Sequence, residues 1–279
     1  MGRLAEVLDK QLCFIVGLTR PGTIWMQHAL DAHPDACCKG EGHFTDALFP
    51  ILGGAFGEYN RRQAVTKKQL EAAGIGAANP GPPAGFTNND ASFLMSCAGA
   101  IILSRWAGAE DLRCIGEKTA EHAMALDDLI RVFPNAKIVH VVRDGRDEAV
   151  SVYDYNIRAG GDAFLKEYSE FSDFLENFAG NWNRAVGAAR LFGRSHPGNY
   201  VEVNSEDLHS EAAADVARVF RFLDLDDSDE VAAHCIESAR RIALPDGIIG
   251  QWKERFDESS KKIFIRHGGE LLKLLGYET

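Results

Sequence analysis

The chain is short of cations. Thirty Lys and Arg stand against 41 Asp and Glu, a formal net charge of −11 over 279 residues. A surface of that sign repels polyanions, which argues against nucleic acid and long acidic polymers as partners. Any anionic ligand then needs a local cationic site. Long apolar runs are also missing. No stretch approaches the ~20 residues that cross a bilayer, so no membrane partner is expected. The opening "MGRLAEVLDKQ" is too polar for a secretory signal, and Glu6 stands where a myristoylation motif needs Ser or Thr. Cysteine is sparse, six in all, with no CxxC pair. Cys13 and Cys114 lie in apolar or strand-like runs. These absences suggest a reduced, cytoplasmic chain. A zinc site from Cys37, Cys38 and His43 fits no usual ligand spacing, so no metal is expected.

What is present alternates between two periods. "LCFIV" (12–16) and "KIVHVV" (137–142) are continuous apolar runs, the pattern of strands buried on both faces. "LRCIGEKT" reads as a short strand with a polar tip, and Tyr200–Val203 as another. Helical periodicity follows each: Thr23 to about Ala32, roughly Ala91–Ala107, "DDLIRVF" up to Pro134, the run from "RDEAVSVY" through Phe192, and "AAADVARVFRFLDL". "GELLKLLGY" ends the chain as a helix with Gly276 as its stop. Residues 74–90, rich in Gly, Pro and Asn, read as a long loop. The expectation is one α/β domain over 1–279: a central parallel β-sheet flanked by helices, with a P-loop-like strand–loop–helix.

That strand–loop–helix is "CFIVGLTRPGTIW". Gly17-x4-Gly22-Thr23 follows a strand and opens a helix, so backbone N–H groups and the helix N-terminus face whatever sits in the loop. The ATP-binding version carries a Lys after the second Gly. Here Thr23 takes that place, and the cation is Arg20, inside the turn. Taken alone, the loop is equally well a plain strand-to-helix turn with Arg20 in solvent. A second cluster points to a ligand. Arg143 stands at the C-terminal end of a buried strand, where open α/β sheets bind ligands, and Ser151 lies one to two turns into the next helix. Such a pair suits a second phosphate. An ion pair with Asp144 or Asp147 is the alternative for Arg143 and the preferred reading for Arg146.

With both clusters on the page, the sequence resembles the sulfotransferases that use 3′-phosphoadenosine 5′-phosphosulfate (PAPS). "VGLTRPGTIW" looks like their 5′-phosphosulfate loop. "VVRDGRDEAVSVY" is similar to their 3′-phosphate motif, usually Arg-Asp-Pro-Arg-Asp followed by Ser. "IGEKTAEH" resembles a Glu-Lys-Ser/Thr-Pro segment, "VNSEDL" a Tyr-Glu-Asp-Leu segment, and "GIIGQWKERF" the Gly-x-x-Gly-x-Trp-Lys segment. The likeness runs in the family's order from about 12 to 277. It implies PAPS as co-substrate and PAP as product. It implies cofactor contacts from Arg20, Pro21, Gly22, Thr23, Ile24, Trp25, Arg143, Ser151, Gly247, Gly250, Trp252 and Lys253. It also explains the absent lysine: no γ-phosphate or magnesium needs handling. Three departures stand out. Ile24 replaces a second Thr. Gly145 replaces the usual Pro, which is expected to loosen the turn after Arg143. Pro245-Asp246 stand where an Arg-Lys pair is usual, with Arg240 and Arg241 nearby as substitutes or as an ordinary surface helix.

Sulfuryl transfer rests on positioning and on stabilising charge that grows on the leaving phosphate. Arg20 and Lys118 are the cations the resemblance aims there. The acceptor hydroxyl or amine must lose a proton, which calls for a general base. Glu41 and His43 in "KGEGHF" are the candidates, Glu41 first, with His122 third. Glu117 is expected as a structural partner of Lys118 or of a helix terminus. The expected acceptor is a small hydroxylated molecule, its pocket shaped by the 74–90 loop and the aromatic segment Tyr153–Phe178. The chain is expected as a monomer or homodimer. A P-loop nucleotide kinase or NTPase, and a PAP-binding protein without turnover, remain the rival readings.

Overall fold

Buried apolar runs too short for helices become the strands of one sheet, which positions the site. A computed structural model describes residues 2–74, 85–108, 111–210, 212–241 and 249–279. Five parallel strands, β1 (Gln11–Val16), β2 (Ala36–Gly40), β3 (Cys114–Lys118), β4 (Lys137–Val142) and β5 (Tyr200–Asn204), lie in the order β2-β3-β1-β4-β5. Register aligns their C-terminal ends: Ile15 and Gly40 both pair with Lys118, Val16 with His140, and Val142 with Asn204. From β1 the chain crosses to β2, returns to β3 on one side of β1, and then crosses to β4 on the other. A ligand-binding crevice opens at such a switch of strand order.

Strand alternation sorts side chains onto two faces. Cys13, Ile15, Val139, Val141 and Val203 pack on helices α2 (Thr23–Asp31), α9 (Ala212–Phe222) and α10 (Asp229–Arg240). Leu12, Phe14, Val16 and Ile138 face α4 (Asn88–Ala107), α5 (Leu126–Val132) and part of α7 (Phe171–Ser195). A third cluster joins α6 (Gly145–Glu167) and α7 to α12 (Glu258–Leu274) around Trp182 and Phe264. The remaining helices are α1 (Gly2–Asp9), α3 (Phe49–Ala72), α8 (Ser205–Ser210) and α11 (Trp252–Arg255). The central parallel sheet flanked by helices is as the sequence indicated.

The differences have physical reasons. β2 was not foreseen, because its five residues "ACCKG" carry two small side chains and a lysine rather than a β-branched run. α3 has a single buried residue, Phe49, and therefore no apolar stripe to read. The expected 74–90 loop lies mostly outside the described residues, but its end is helical. Thr87 and Asp90 form a reciprocal capping box that starts α4 at Asn88, ahead of the expected Ala91. Gly276, at φ 84°, ends α12 as expected, with the Tyr277 N–H donating to the Leu272 carbonyl at 2.9 Å. Among the described residues no helix is long and apolar enough to cross a membrane.

Candidate active site

The loop after β1 is built for close approach. A Cβ on Gly17 would lie 2.6 Å from Pro21 and 2.8 Å from the Val141 carbonyl oxygen. Gly22 has φ 107° and would crowd Ser205 Oγ at 3.0 Å. No side chain caps α2. Its first amides are thus left to a ligand, and the helix dipole favours an anion there. Arg20 holds a left-handed backbone, φ 65°, which a non-glycine residue rarely adopts without a local reason. Its Nε donates to Ser151 Oγ at 3.0 Å, and its guanidinium lies 4.9 Å from the Tyr155 ring centroid. Pro21 and Thr23 are buried. Ile24, 49% exposed, faces outward, and Trp25 is buried in the α2-face core. Only the backbone of Trp25 is left to a cofactor.

The second cluster leaves the C-terminal ends of β2 and β3. Lys118, the last residue of β3, is buried and bonds Glu41 Oε1. Glu41 is half-exposed, and its other oxygen is 3.5 Å from His43 Nε2. His43 Nδ1 is 2.8 Å from Asp46 Oδ2. That contact, helped by the charges of Asp46 and Glu41 and opposed by partial burial, raises the His43 pKa. His43 also sits in the left-handed region, at φ 47°.

Two expectations change here. Glu117 does not partner Lys118; of its two expected roles it takes the helix-terminus one, bonding Gly42, just before the turn Phe44–Leu48, and Thr119, which precedes the 3-10 turn Ala120–Met124. Strand alternation sends it to the opposite face, where it is fully buried and accepts from the Gly42 N–H at 2.7 Å and from the Thr119 hydroxyl. His122 cannot serve as a base toward solvent. It is fully buried, with Nδ1 2.7 Å from Thr45 Oγ1 and Nε2 3.3 Å from Glu117 Oε2.

The third cluster follows β4 and β5. Arg143 is buried, and its Nη1 has no hydrogen-bond partner among the described residues. Glu148 is fully enclosed in α6, also with an unpartnered oxygen. Burial pushes its carboxyl well above the usual range, against the pull of Arg143. Arg146 makes the ion pair read from the sequence: Nη2 lies 2.7 Å and Nε 3.0 Å from the Asp144 carboxylate, and its guanidinium stacks 3.9 Å from the Trp252 ring. Asp147 accepts from the backbone N–H of Gly250 at 2.7 Å and of Trp252 at 2.9 Å. Glu206 accepts from the Asp144 N–H at 2.9 Å and from the Tyr277 hydroxyl at 3.0 Å. Burial raises the pKa of both Asp147 and Glu206, and these bonds oppose it. Lys253 is exposed at the rim, 3.8 Å from Glu278.

The structure therefore joins Arg20 to Ser151, and Lys118 to Glu41 and His43. It fastens Gly250 and Trp252 to Asp147. Gly247, with Pro245 and Asp246, lies outside the described residues. Arg240 is exposed on α10, 4.0 Å from Glu237. Gly145 does not loosen its turn. A Cβ there would lie 2.5 Å from the Trp182 ring and 2.6 Å from Phe264, so glycine is required by close packing. Sequence reading missed Thr45, Thr119, Asp147 and Tyr277. Their roles arise from contacts 70 or more residues apart; Thr119 also bonds Glu117 two residues away on the same β-tip.

An anion loop without its lysine, at the switch point of a parallel sheet and beside a paired acid and lysine, defines a group-transfer enzyme. The chain belongs to the sulfotransferase family, whose profile matches residues 13–229. It is similar to a putative protein-tyrosine sulfotransferase of Caenorhabditis briggsae, 23% identical over 225 residues, covering 81% of this chain and 69% of that one. It is also similar to protein-tyrosine sulfotransferase 1 of Danio rerio, 26% identical over 226 residues, or 81% of this chain and 56% of the relative. Mouse sulfotransferase SULT7A1, solved in complex with PAP, shares the fold with a TM-score of 0.58 at 14% identity, over 98% of this chain and 92% of that one. These relatives correct one expectation. The Caenorhabditis and Danio relatives are named protein-tyrosine sulfotransferases, so the cytoplasmic placement drawn from free thiols and a missing apolar run does not stand.

Proposed function

We propose that this sulfotransferase moves the sulfuryl group of PAPS to a phenolic hydroxyl, releasing PAP. The observation that carries the reading is the 3.0 Å bond from Arg20 to Ser151, which ties the loop before α2 to the cluster behind β4. One ligand with two phosphate groups suits two anion sites so joined. The amides at the start of α2 take the 5′-phosphosulfate, and Arg143 and Ser151 take the 3′-phosphate. Arg20 and Lys118 face the charge that grows on the leaving phosphate. Glu41 takes the acceptor proton. His43 is the less available base because its contact with Asp46 favours the charged imidazolium, which already carries the proton a base must accept.

A phenol, with a pKa near ~10, yields its proton to a carboxylate more readily than an alkanol does. The tyrosine in the relatives' names is a phenol too. The acceptor is thus a phenol, free or carried on a protein.

The test is calorimetry with PAP, ATP and GTP, followed by sulfuryl transfer from PAPS to a small phenol, a tyrosine peptide and an alkanol. Tight binding of PAP alone, with transfer to phenols, is expected. Equal binding of ATP would return the site to a nucleotide kinase. PAP binding without transfer to any acceptor would make the chain a binding protein.

A further inference from the structure

Glu117 is a fully buried carboxylate that the transfer step does not use. Such a group is retained only where bonds replace the water it has lost. Each of its bonds leads to the segment that carries Glu41 and His43. Oε1 accepts from the Gly42 N–H at 2.7 Å and from the Thr119 hydroxyl, and Thr119 Oγ1 itself accepts from the His43 N–H at 3.3 Å. Oε2 faces His122 Nε2 at 3.3 Å, and neither atom has a hydrogen-bond partner among the described residues. The other nitrogen of His122 is 2.7 Å from Thr45 Oγ1, and its ring stacks on Phe44 with centroids 6.1 Å apart and planes 20° apart.

So the backbone of residues 42 and 43 and the side chains of 44 and 45 are all held by residues 117–122. The fit is close. A Cβ on Gly42 would lie 2.7 Å from the Phe44 ring and 3.2 Å from Glu117 Oε1. β3 thereby serves both its faces. Lys118 reaches Glu41 directly, while Glu117, pointing the opposite way, holds the turn that presents Glu41.

We propose that Glu117, with Thr119 and His122, is a positioning clamp that sets the Glu41 carboxylate against the reacting centre. The inference rests on the reading of Glu41 as the base. The clamp acts on kcat rather than on the donor site, because the side chains of Glu117, Thr119 and His122 hold residues 42–45; the link from this segment to the loop at 17–22 is a backbone bond, from the Gly17 N–H to the Ala120 carbonyl at 3.1 Å, which side-chain substitutions leave in place. A misplacement of about 1 Å at a reacting group costs on the order of 10²-fold.

The test compares Glu117→Gln with Glu117→Leu. Both fill the site, but only Gln keeps an oxygen for the Gly42 and Thr119 donors. Expected is a kcat for Gln within about fivefold of the parent and a kcat for Leu lower by on the order of 10²-fold, with PAP affinity unchanged in both. Equal activity of the two variants, or a matching loss of PAP affinity, overturns the clamp. Should the Leu protein fail to fold, Thr119→Val carries the same test. It removes the hydroxyl that accepts from His43, and a kcat equal to the parent's overturns the proposal.

A double-mutant cycle separates the two levels of the argument. If Glu117 acts through Glu41, the Leu penalty disappears in a Glu41→Gln background. A full, additive penalty there overturns the clamp. Unchanged turnover in Glu41→Gln alone instead removes Glu41 as base.

Discussion

The two ends of the sheet's C-terminal edge treat buried charge differently. On the β2–β3 side, Glu117 is enclosed, but one of its oxygens accepts from two donors and the other faces His122. On the β4–β5 side, Arg143 Nη1 and Glu148 Oε1 are buried with no hydrogen-bond partner among the described residues, and Asp147, Glu148 and Glu206 all hold their protons more tightly than ordinary carboxylates. The first side is more nearly completed by the chain itself, since its two remaining polar atoms, Glu117 Oε2 and His122 Nε2, face each other at 3.3 Å, which suits a region that must hold a base in place. The second is left electrostatically incomplete. A buried donor without an acceptor calls for an explanation, and an arriving anion supplies one.

The contrast breaks most readily at Glu41. Glu41→Gln is expected to lower kcat by ~10²–10⁴-fold, the usual loss on removing a general base, with PAP affinity nearly unchanged by calorimetry. A large loss of PAP affinity instead would merge the two sides into one site. Next in size is Arg143→Ala. Removing a charge-assisted phosphate contact costs about 1.5–3 kcal/mol, or about 10–150-fold in PAP affinity. An unchanged Kd would mean that Arg143 serves only its buried carboxylate neighbours. Ser151→Ala should cost less, about 0.5–1.5 kcal/mol in PAP binding. That loss should be smaller still in an Arg20→Ala background, because the two side chains are bonded to each other. Strict additivity in the cycle would remove the link between loop and helix.

The smallest expected effect is on stability. Burial raises the Glu148 pKa in the folded state. Below the unfolded value, near ~4.3, both states hold the proton and the group contributes no difference. Above it, the unfolded chain releases a proton that the folded chain keeps or gives up at a cost. The destabilisation therefore grows with pH until the folded pKa is passed. Glu148→Gln, a mimic of the neutral acid, should gain Tm over the parent as pH rises from about 4.5 to 8, counting from that unfolded value. A flat or shrinking difference would show that Arg143 already neutralises Glu148.

The sequence exposed the parts of the molecule whose signal is local. β1, β4 and the helices after them are continuous apolar runs followed by periodic ones. The anion loop is legible because Gly17, Arg20 and Gly22 lie within six positions. Ion pairing at Asp144 and Arg146 spans two residues and was equally readable. β2 was not, since a strand carrying Lys39 and Gly40 gains its stability from its neighbour β3. The Glu117 network was hidden for a related reason. It joins residues 42–45 to 117–122, and only the parallel register of β2 on β3 brings them together. The placement of Trp25 also turned on tertiary packing: a motif position beside the loop proved to be core. Gly145 was misjudged because its neighbours, Trp182 and Phe264, arrive from helices far along the chain.

That last position carries a lesson for consensus engineering. A designer averaging over the family would restore proline at 145, expecting a stiffer turn. Here the pyrrolidine ring would meet the indole of Trp182, 0% exposed in the core. The glycine and the tryptophan form an epistatic pair. Proline becomes admissible only in a background where the indole and the neighbouring Phe264 ring have first been made smaller, so the order of substitutions, and not their set, decides whether that route through sequence space is open.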